Sequence, residues 1–331
     1  MIKPNEKLEV FDIEDSEFYN IKSSYYNEIW SYSMLFDNGV HISYNFSVSE
    51  IGAFKKRVTG AKIMLKWVDN KTYVISKEYD FDYFEFNSES SFIKLHPERS
   101  YRATTVENGK QSLFFKTDKN GVEIEIEIKL SDIFQSVRNG SGLYKIGNEQ
   151  FFMEYLIPKA IASGFIILNR DTLNVSGQAY MTHTYSTGKS TNYLNQAIKY
   201  ASPLSINDSK SDYYINSIIF EKNDIQFGYG ISYLDSTPTL ISPLFVELNK
   251  NLKLRGAELI TDFEITFTDE NINSHHIVIS DIVNHYSILD DVNNITKMFI
   301  KNIIGKELIE FYGVGEINEK PSNFIEGFII D

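Results

Sequence analysis

The chain has no cysteine, which excludes disulfides and thiol chemistry. Positive charge is also scarce. Thirty-two Lys and Arg stand against 45 Asp and Glu, for a formal net charge of -13. That balance disfavours nucleic-acid phosphates and anionic membrane surfaces as partners of the whole surface. No run approaches 18 apolar residues, so no segment reads as a membrane-spanning helix. The first ten residues carry early acids and no apolar core, so they do not read as a secretory signal. Missing too are Gly-x-Gly-x-x-Gly, the phosphate-binding P-loop, Gly-x-Ser-x-Gly, His-Glu-x-x-His and the calcium loop with its central glycine. Nucleotide, acyl-transfer, zincin and EF-hand chemistries therefore have no support. The expectation is a soluble, cytoplasmic protein with no cofactor and no metal. Stable membrane insertion is not expected, and peripheral contact is left open.

What the chain does have is aromatic mass. Phe numbers 24 and Tyr 21 in 331 residues, enough for two cores and too much for a disordered chain. The dominant pattern has period two. Val122, Ile124, Ile126, Ile128 and Leu130 alternate with Glu123, Glu125, Glu127 and Lys129, as in a strand with one face on a core and one in water. The acids of that ladder read as a solvated face. Asp118-Lys-Asn-Gly121 predicts the hairpin turn into this strand. Similar runs lie at 29–36, 40–48, 63–68, 72–76, 164–168, 215–220, 225–233, 259–268, 276–279 and 308–317. Helical spacing is scarce, with 290–304 the best candidate. Many short strands and few helices favour barrels or sandwiches.

The chain also reads as duplicated. Tyr25 to Gly39 is echoed by Tyr213 to Asn223, and Phe165 to His183 by Phe299 to Glu319. The polar stretch 186–212 is the natural linker, giving domains over 1–190 and 191–331.

One strand stands out. In Ser176 to Gly188, strand alternation places Ala179, Met181, His183 and Tyr185 on one face and Gln178, Tyr180, Thr182 and Thr184 on the other. A lone histidine thus sits among apolar neighbours. Either it is a packed, satisfied core residue or it lines an interior site. Tyr180 and Tyr185 flank it. Trp30, Tyr32 and Met34 share one face of an early strand, and sequence cannot separate core filling from pocket lining there. His275 and His276 are adjacent, so their rings point to opposite faces and make a poor metal pair. His41 and His96 have no partner at useful spacing. Lys55-Lys-Arg57 is the one dense basic patch and reads as a loop surface.

Four motifs carry a resemblance: Glu28-Ile-Trp-Ser-Tyr; Ser47-Val-Ser-Glu-Ile-Gly52; Tyr155-Leu-Ile-Pro158-Lys159 followed by Gly164; and Gly177-x-Ala-Tyr-Met-Thr-His183. In the order of these motifs the chain resembles the tandem lipocalin-like (calycin) proteins. That group includes carotenoid 1,2-hydratases (hydroxyneurosporene synthases), fungal Diels–Alderases and survival-factor proteins. The hydratase-like pattern is Gly-x-Gly-Tyr-x-Asp-His-x-Trp-Gly. Here Thr182 takes the aspartate place, Tyr185 the tryptophan place and Ser186 the final glycine place. The resemblance implies an all-β fold of two tandem lipocalin-like antiparallel β-barrels and a protein that handles hydrophobic molecules. Alkene hydration needs a general acid, and Thr182 cannot supply one. Glu154 or Asp171 could substitute, though nothing in their spacing says so. The expectation is therefore a binding protein for a lipid or isoprenoid, in a barrel or inter-domain pocket, with His183, Tyr180, Tyr185, Thr182, Trp30 and Tyr32 as the ligand-binding residues. The alternative is a hydratase or cyclase acting on an isoprenoid or polyene.

Overall fold

The computed structural model describes residues 7–50, 56–87, 92–96, 100–106, 110–119, 121–146, 148–188, 194–204, 212–221, 226–234, 237–241, 243–267, 274–287, 290 and 307–330. Among these no α-helix occurs and strands dominate. The chain divides into two compact units. One is Glu9–Gly188, and the other joins Met1–Leu8 to Lys189–Asp331. The run 290–304 lies outside the described residues except at its first position.

Strands of the first sheet are β1 (Leu8–Phe11), β2 (Asn27–Phe36), β3 (His41–Ser49), β4 (Val58–Lys66), β5 (Thr72–Asp80), β6 (Phe84–Asn87), β7 (Phe92–Leu95), β8 (Tyr101–Val106), β9 (Lys110–Lys119), β10 (Val122–Ser131), β11 (Ser136–Asn139), β12 (Leu143–Ile146), β13 (Glu149–Leu168) and β14 (Asp171–Ser186). Their order is β5-β4-β3-β2-β14-β13-β10-β9-β8-β7-β6, with β1, β11 and β12 attached to the side. The sheet curls into a nearly closed antiparallel barrel. The curl brings β5 to the strands at the far end. Tyr79 on β5 donates to the Tyr101 hydroxyl on β8 at 3.1 Å, and Lys119 Nζ on β9 donates to the Ser76 carbonyl on β5 at 2.7 Å.

Alternation produces the core. Trp30, Tyr32, Met34 and Phe36 of β2 pack inside with Ile42, Tyr44, Phe46 and Val48 of β3, and with Ile124, Ile126, Ile128 and Leu130 of β10. The acids between the β10 isoleucines face outward, and Glu125 accepts from Lys116 Nζ at 2.6 Å. The β9–β10 hairpin turns where the sequence places it, with Lys119 opposite Val122 and Gly121 at φ 77°.

Strand β13 is longer than its alternation suggests because it carries two irregularities. Its register against β14 shifts between Tyr155 and Ile157 and again between Ile157 and Ala160. Each shift adds one residue on β13, so together they restore the parity and both Glu154 and Ala160 face the interior. Pro158, which has no N–H, sits in the second irregularity, where a ladder bond is lost anyway.

A glycine sets the close approach of β13 to β10. Gly164 pairs with Ile128, and a Cβ there would fall onto the backbone oxygen of Glu127. Gly164→Ala is expected to destabilise the first unit by about 1–3 kcal/mol. A urea midpoint equal to that of the wild type would refute this account of the site.

The second sheet contains β15 (Leu194–Leu204), β16 (Asp212–Glu221), β17 (Gln226–Leu234), β18 (Thr237–Ile241), β19 (Pro243–Leu254), β20 (Ala257–Phe267), β21 (Ser274–Ser287), β22 (Leu308–Ile317) and β23 (Lys320–Ile330). Its order is β18-β17-β16-β15-β23-β22-β21-β20-β19. Both sheets place an early strand beside a late one, β2 beside β14 in the first and β15 beside β23 in the second. Of the echoes read from the sequence, Tyr213–Glu221 lies on β16, next to β15, and Leu308–Ile317 is β22, next to β23. Gly315 of β22 lies opposite Ile279. A Cβ on Gly315 would meet the Val278 oxygen just as one on Gly164 meets Glu127. The expected linker is also shorter than its composition suggests, because residues 194–204 form β15. Pro203 is accommodated there because the pairing of β15 with β23 ends at Tyr200.

Candidate functional site

His183 lies on the interior face of β14, in the middle of the first sheet. Glu154 of β13 is directly opposite on one side and Trp30 of β2 on the other. Glu28 lies two residues before Trp30 on the same face of β2, one diagonal step from His183. Strand register alone thus puts two carboxylates and one imidazole together. The side chains meet as the register requires. His183 Nδ1 is 2.8 Å from Glu154 Oε1, and His183 Nε2 is 2.8 Å from Glu28 Oε1. All three side chains are fully buried, at 0% exposure.

The remaining carboxylate positions also meet donors. Ser16 Oγ donates to Glu154 Oε1 at 3.1 Å, and Arg138 Nη1 approaches Glu154 Oε2 at 3.5 Å. The Tyr19 backbone N–H donates to Glu28 Oε1 at 3.1 Å, and the Tyr26 hydroxyl donates to Glu28 Oε2. Four carboxylate oxygens surrounded by donors suit two carboxylates flanking an imidazolium whose two N–H groups both donate. With Arg138 the cluster is two negative and two positive charges, the neutral total that a buried site requires.

Burial opposes the charged ring. The hydrogen bonds and charges of Glu154 and Glu28 outweigh it and raise the His183 pKa to about 9. Aromatic packing adds to this. Trp30 stacks on the imidazole at 4.7 Å and 8°, Tyr19 lies over it at 5.7 Å, and Phe152 meets it edge-on. An indole face attracts a cation. Burial first, and then the Glu28 charge, push the Tyr26 hydroxyl above its ordinary value, so it stays a donor.

The structure brings together His183, Trp30 and Tyr185. Tyr185 stacks on Phe152 at 4.9 Å and contacts Tyr19 and Tyr26. Tyr32 shares the interior face one step further along β2, where its hydroxyl donates to Gln111 Oε1 at 3.1 Å. Tyr180 and Thr182 are buried on the opposite face of β14, and the Tyr180 hydroxyl donates to Gln178 at 2.9 Å. An acid in place of Thr182 would not stand beside the ring by strand alternation. Asp171 is exposed at the β13–β14 turn.

Sequence reading missed Glu28, although it heads the motif quoted for its tryptophan. An acid in phase with Trp30, Tyr32 and Met34 was the available signal. Arg57 also departs from expectation. It is no loop-surface cation: its guanidinium donates to the Ile21 carbonyl at 2.7 Å, pairs with Glu50 and lies over the Tyr26 ring. Lys55 lies outside the described residues. His41 does have a partner, Ser33 Oγ at 3.0 Å, and burial holds its pKa near 3. Among the described residues no group of three or more acids and histidines stands where it could hold a metal ion, and no helix is long and apolar enough to cross a membrane.

Fold and site together define an antiparallel β-barrel protein of the lipocalin-like class with a buried acid–histidine–acid cluster. Solved structures bear out the class. A protein assigned as AttH from Nitrosomonas europaea superposes with a TM-score of 0.64 at 12% identity, covering 93% of this chain and 92% of its own. CghA in complex with Sch210972 gives 0.58 at 9% identity, over 98% of this chain and 94% of its own. Kievitone hydratase from Nectria haematococca gives 0.51 at 10% identity, over 97% and 92%. These likenesses establish the lipocalin-like fold expected from the sequence motifs. No protein-family model and no curated protein matches the sequence.

Proposed function

We propose that the chain consists of two lipocalin-like domains and that the first takes a hydrophobic small molecule against His183 and acts on it as a hydratase- or cyclase-type enzyme. The observation that carries this is the placement of two buried carboxylates, Glu28 and Glu154, at 2.8 Å on either side of the histidine. Hydration of a carbon–carbon double bond needs an acid to protonate one carbon and a base to take a proton from water at the other. The cluster can supply both. A proton passed from His183 Nδ1 to Glu154 makes a carboxylic acid, which donates it to the alkene carbon. Water adds to the neighbouring carbon, and its released proton returns through the Glu154 carboxylate to His183 Nδ1, the ring nitrogen left bare, while Glu28 holds the Nε2 proton in place. The substrate gains H and OH, and the site returns to its starting state. A cyclisation would use the same groups only to orient and polarise the substrate.

Support comes also from the fold, which is related to hydratase and Diels–Alderase enzymes. In this reading Trp30, Tyr185 and Tyr32 join His183 on the ligand side, and Tyr180 and Thr182 do not face it. A second reading, binding without turnover, is favoured by the complete satisfaction of the carboxylates by protein donors. Native mass spectrometry of the purified chain, followed by incubation with unsaturated isoprenoid and polyene candidates, separates the two. Under the enzyme reading Glu154→Gln lowers turnover at least about a hundredfold while binding persists, the range expected for loss of one acid–base group. Ligand uptake with no product from any candidate supports simple binding. A chain that takes up nothing contradicts both.

A further inference from the structure

Residues 12–21, which follow β1, run as an irregular strap over the acid–histidine–acid cluster, and they place on it the groups a ligand would bring. The Ser16 hydroxyl donates to Glu154 Oε1 at 3.1 Å and lies 3.5 Å from His183 Nδ1. Three residues later the Tyr19 N–H donates to Glu28 Oε1 at 3.1 Å, and the Tyr19 ring lies over the imidazole at 28°. Phe18, between them in sequence, packs on Trp30 and Phe84. So one O–H donor, one N–H donor and one planar ring converge on the two carboxylates and the imidazole.

Apart from a single 3-10 turn at Ile13–Asp15, residues 12–26 form no helix or strand that would fix this segment by backbone ladders. The pairing of β1 with β11 and two arginines hold its ends. Arg138 forms a two-pronged pair with Glu9 at 2.8 and 3.0 Å. Arg57 donates to the Asn20 side chain and the Ile21 carbonyl. Such contacts are weaker than a sheet ladder, because a partly exposed ion pair contributes little. The seal over a fully buried cluster is thus its least regular part.

We propose that the strap is a stand-in for the ligand: Ser16 to Tyr19 occupy the ligand's place, and the site takes a planar, apolar molecule carrying a hydroxyl donor once the strap lifts. This rests on the reading that His183 faces a ligand. Both carboxylates accept and neither donates in the cluster, so a hydroxyl replaces Ser16 and an ether cannot. The strap's own chemistry thereby selects the ligand class and makes binding competitive with closure.

The test uses the full chain, naphthalen-2-ol and its methyl ether 2-methoxynaphthalene in calorimetric titrations. In Ser16→Gly/Tyr19→Gly, affinity for naphthalen-2-ol should rise at least about tenfold over the wild type, with little change for the ether. Glu9→Gln, which loosens the Arg138 latch and leaves Glu28, His183 and Glu154 in place, should shift naphthalen-2-ol binding the same way by about twofold or more. It also serves if the double variant folds poorly. Equal naphthalen-2-ol affinity in all three proteins would overturn the strap and leave the His183 reading standing. An equal gain for the ether would also overturn it, since the strap would then only fill space. Naphthalen-2-ol binding left unchanged by adding His183→Gln to Glu9→Gln would overturn the His183 reading as well.

Discussion

His183→Leu will destabilise the first unit by about 3–5 kcal/mol, the range for removing one partner of a buried ion pair. The substitution leaves the Glu28 and Glu154 carboxylates buried, facing one another across an apolar side chain. Water cannot reach them to screen the repulsion, and Arg138 approaches only one. Urea unfolding followed by tyrosine fluorescence measures the loss as a lower midpoint at constant slope. The neutral triple variant Glu28→Gln/Glu154→Gln/His183→Leu should recover most of that stability, because replacing a whole buried ionic group by neutral residues is far less costly than breaking it. If His183→Leu unfolds at the wild-type midpoint, the ring is not bearing the charge of the cluster.

Stability will fall as pH rises from 6.5 to about 9. The folded state holds the His183 proton up to about pH 9, whereas the unfolded chain releases it near the ordinary value of 6.5. The stabilisation is therefore fully present below pH 6.5 and is lost as pH climbs through the folded value. At about 1.4 kcal/mol per unit, the 6.5-to-9 interval corresponds to about 3–4 kcal/mol. Chemical denaturation at half-unit steps across this window measures it, and the triple variant should show no such slope. A wild-type midpoint that rises or stays level from pH 6.5 to 9 would contradict the assignment.

The strands were legible wherever one face is wet. The β10 ladder, the turn at Gly121 and strand β22 follow from alternation and turn chemistry alone. The length of β13 was not, because its two irregularities near Leu156 and Pro158 break the period that reveals a strand. The echoes read from the sequence fall on strands at different places in the two sheets. Gly164 and Gly315 each mark a close approach of two backbones, which sequence does not display.

The site was half visible. His183 among Ala179, Met181 and Tyr185 was flagged by its face. Its partners were hidden for different reasons. Glu154 lies next to the irregular stretch that obscures which way it points. Glu28 comes from a strand more than 150 residues away in sequence, paired only by the closing of the first strand onto the last. The missing acid at position 182 tilted the sequence reading toward binding alone. In the folded chain that position faces away from the ring, so its identity says little about the acids beside His183.

A doubly protonated imidazole between Glu28 and Glu154 is the centre of the site. Nitrogen-15 NMR of histidine-labelled protein at pH 7.5 reads this directly. Two protonated ring nitrogens on His183, titrating together near pH 9, are the predicted result. A neutral ring with one bare nitrogen at pH 7.5, titrating at or below 6.5, would contradict it.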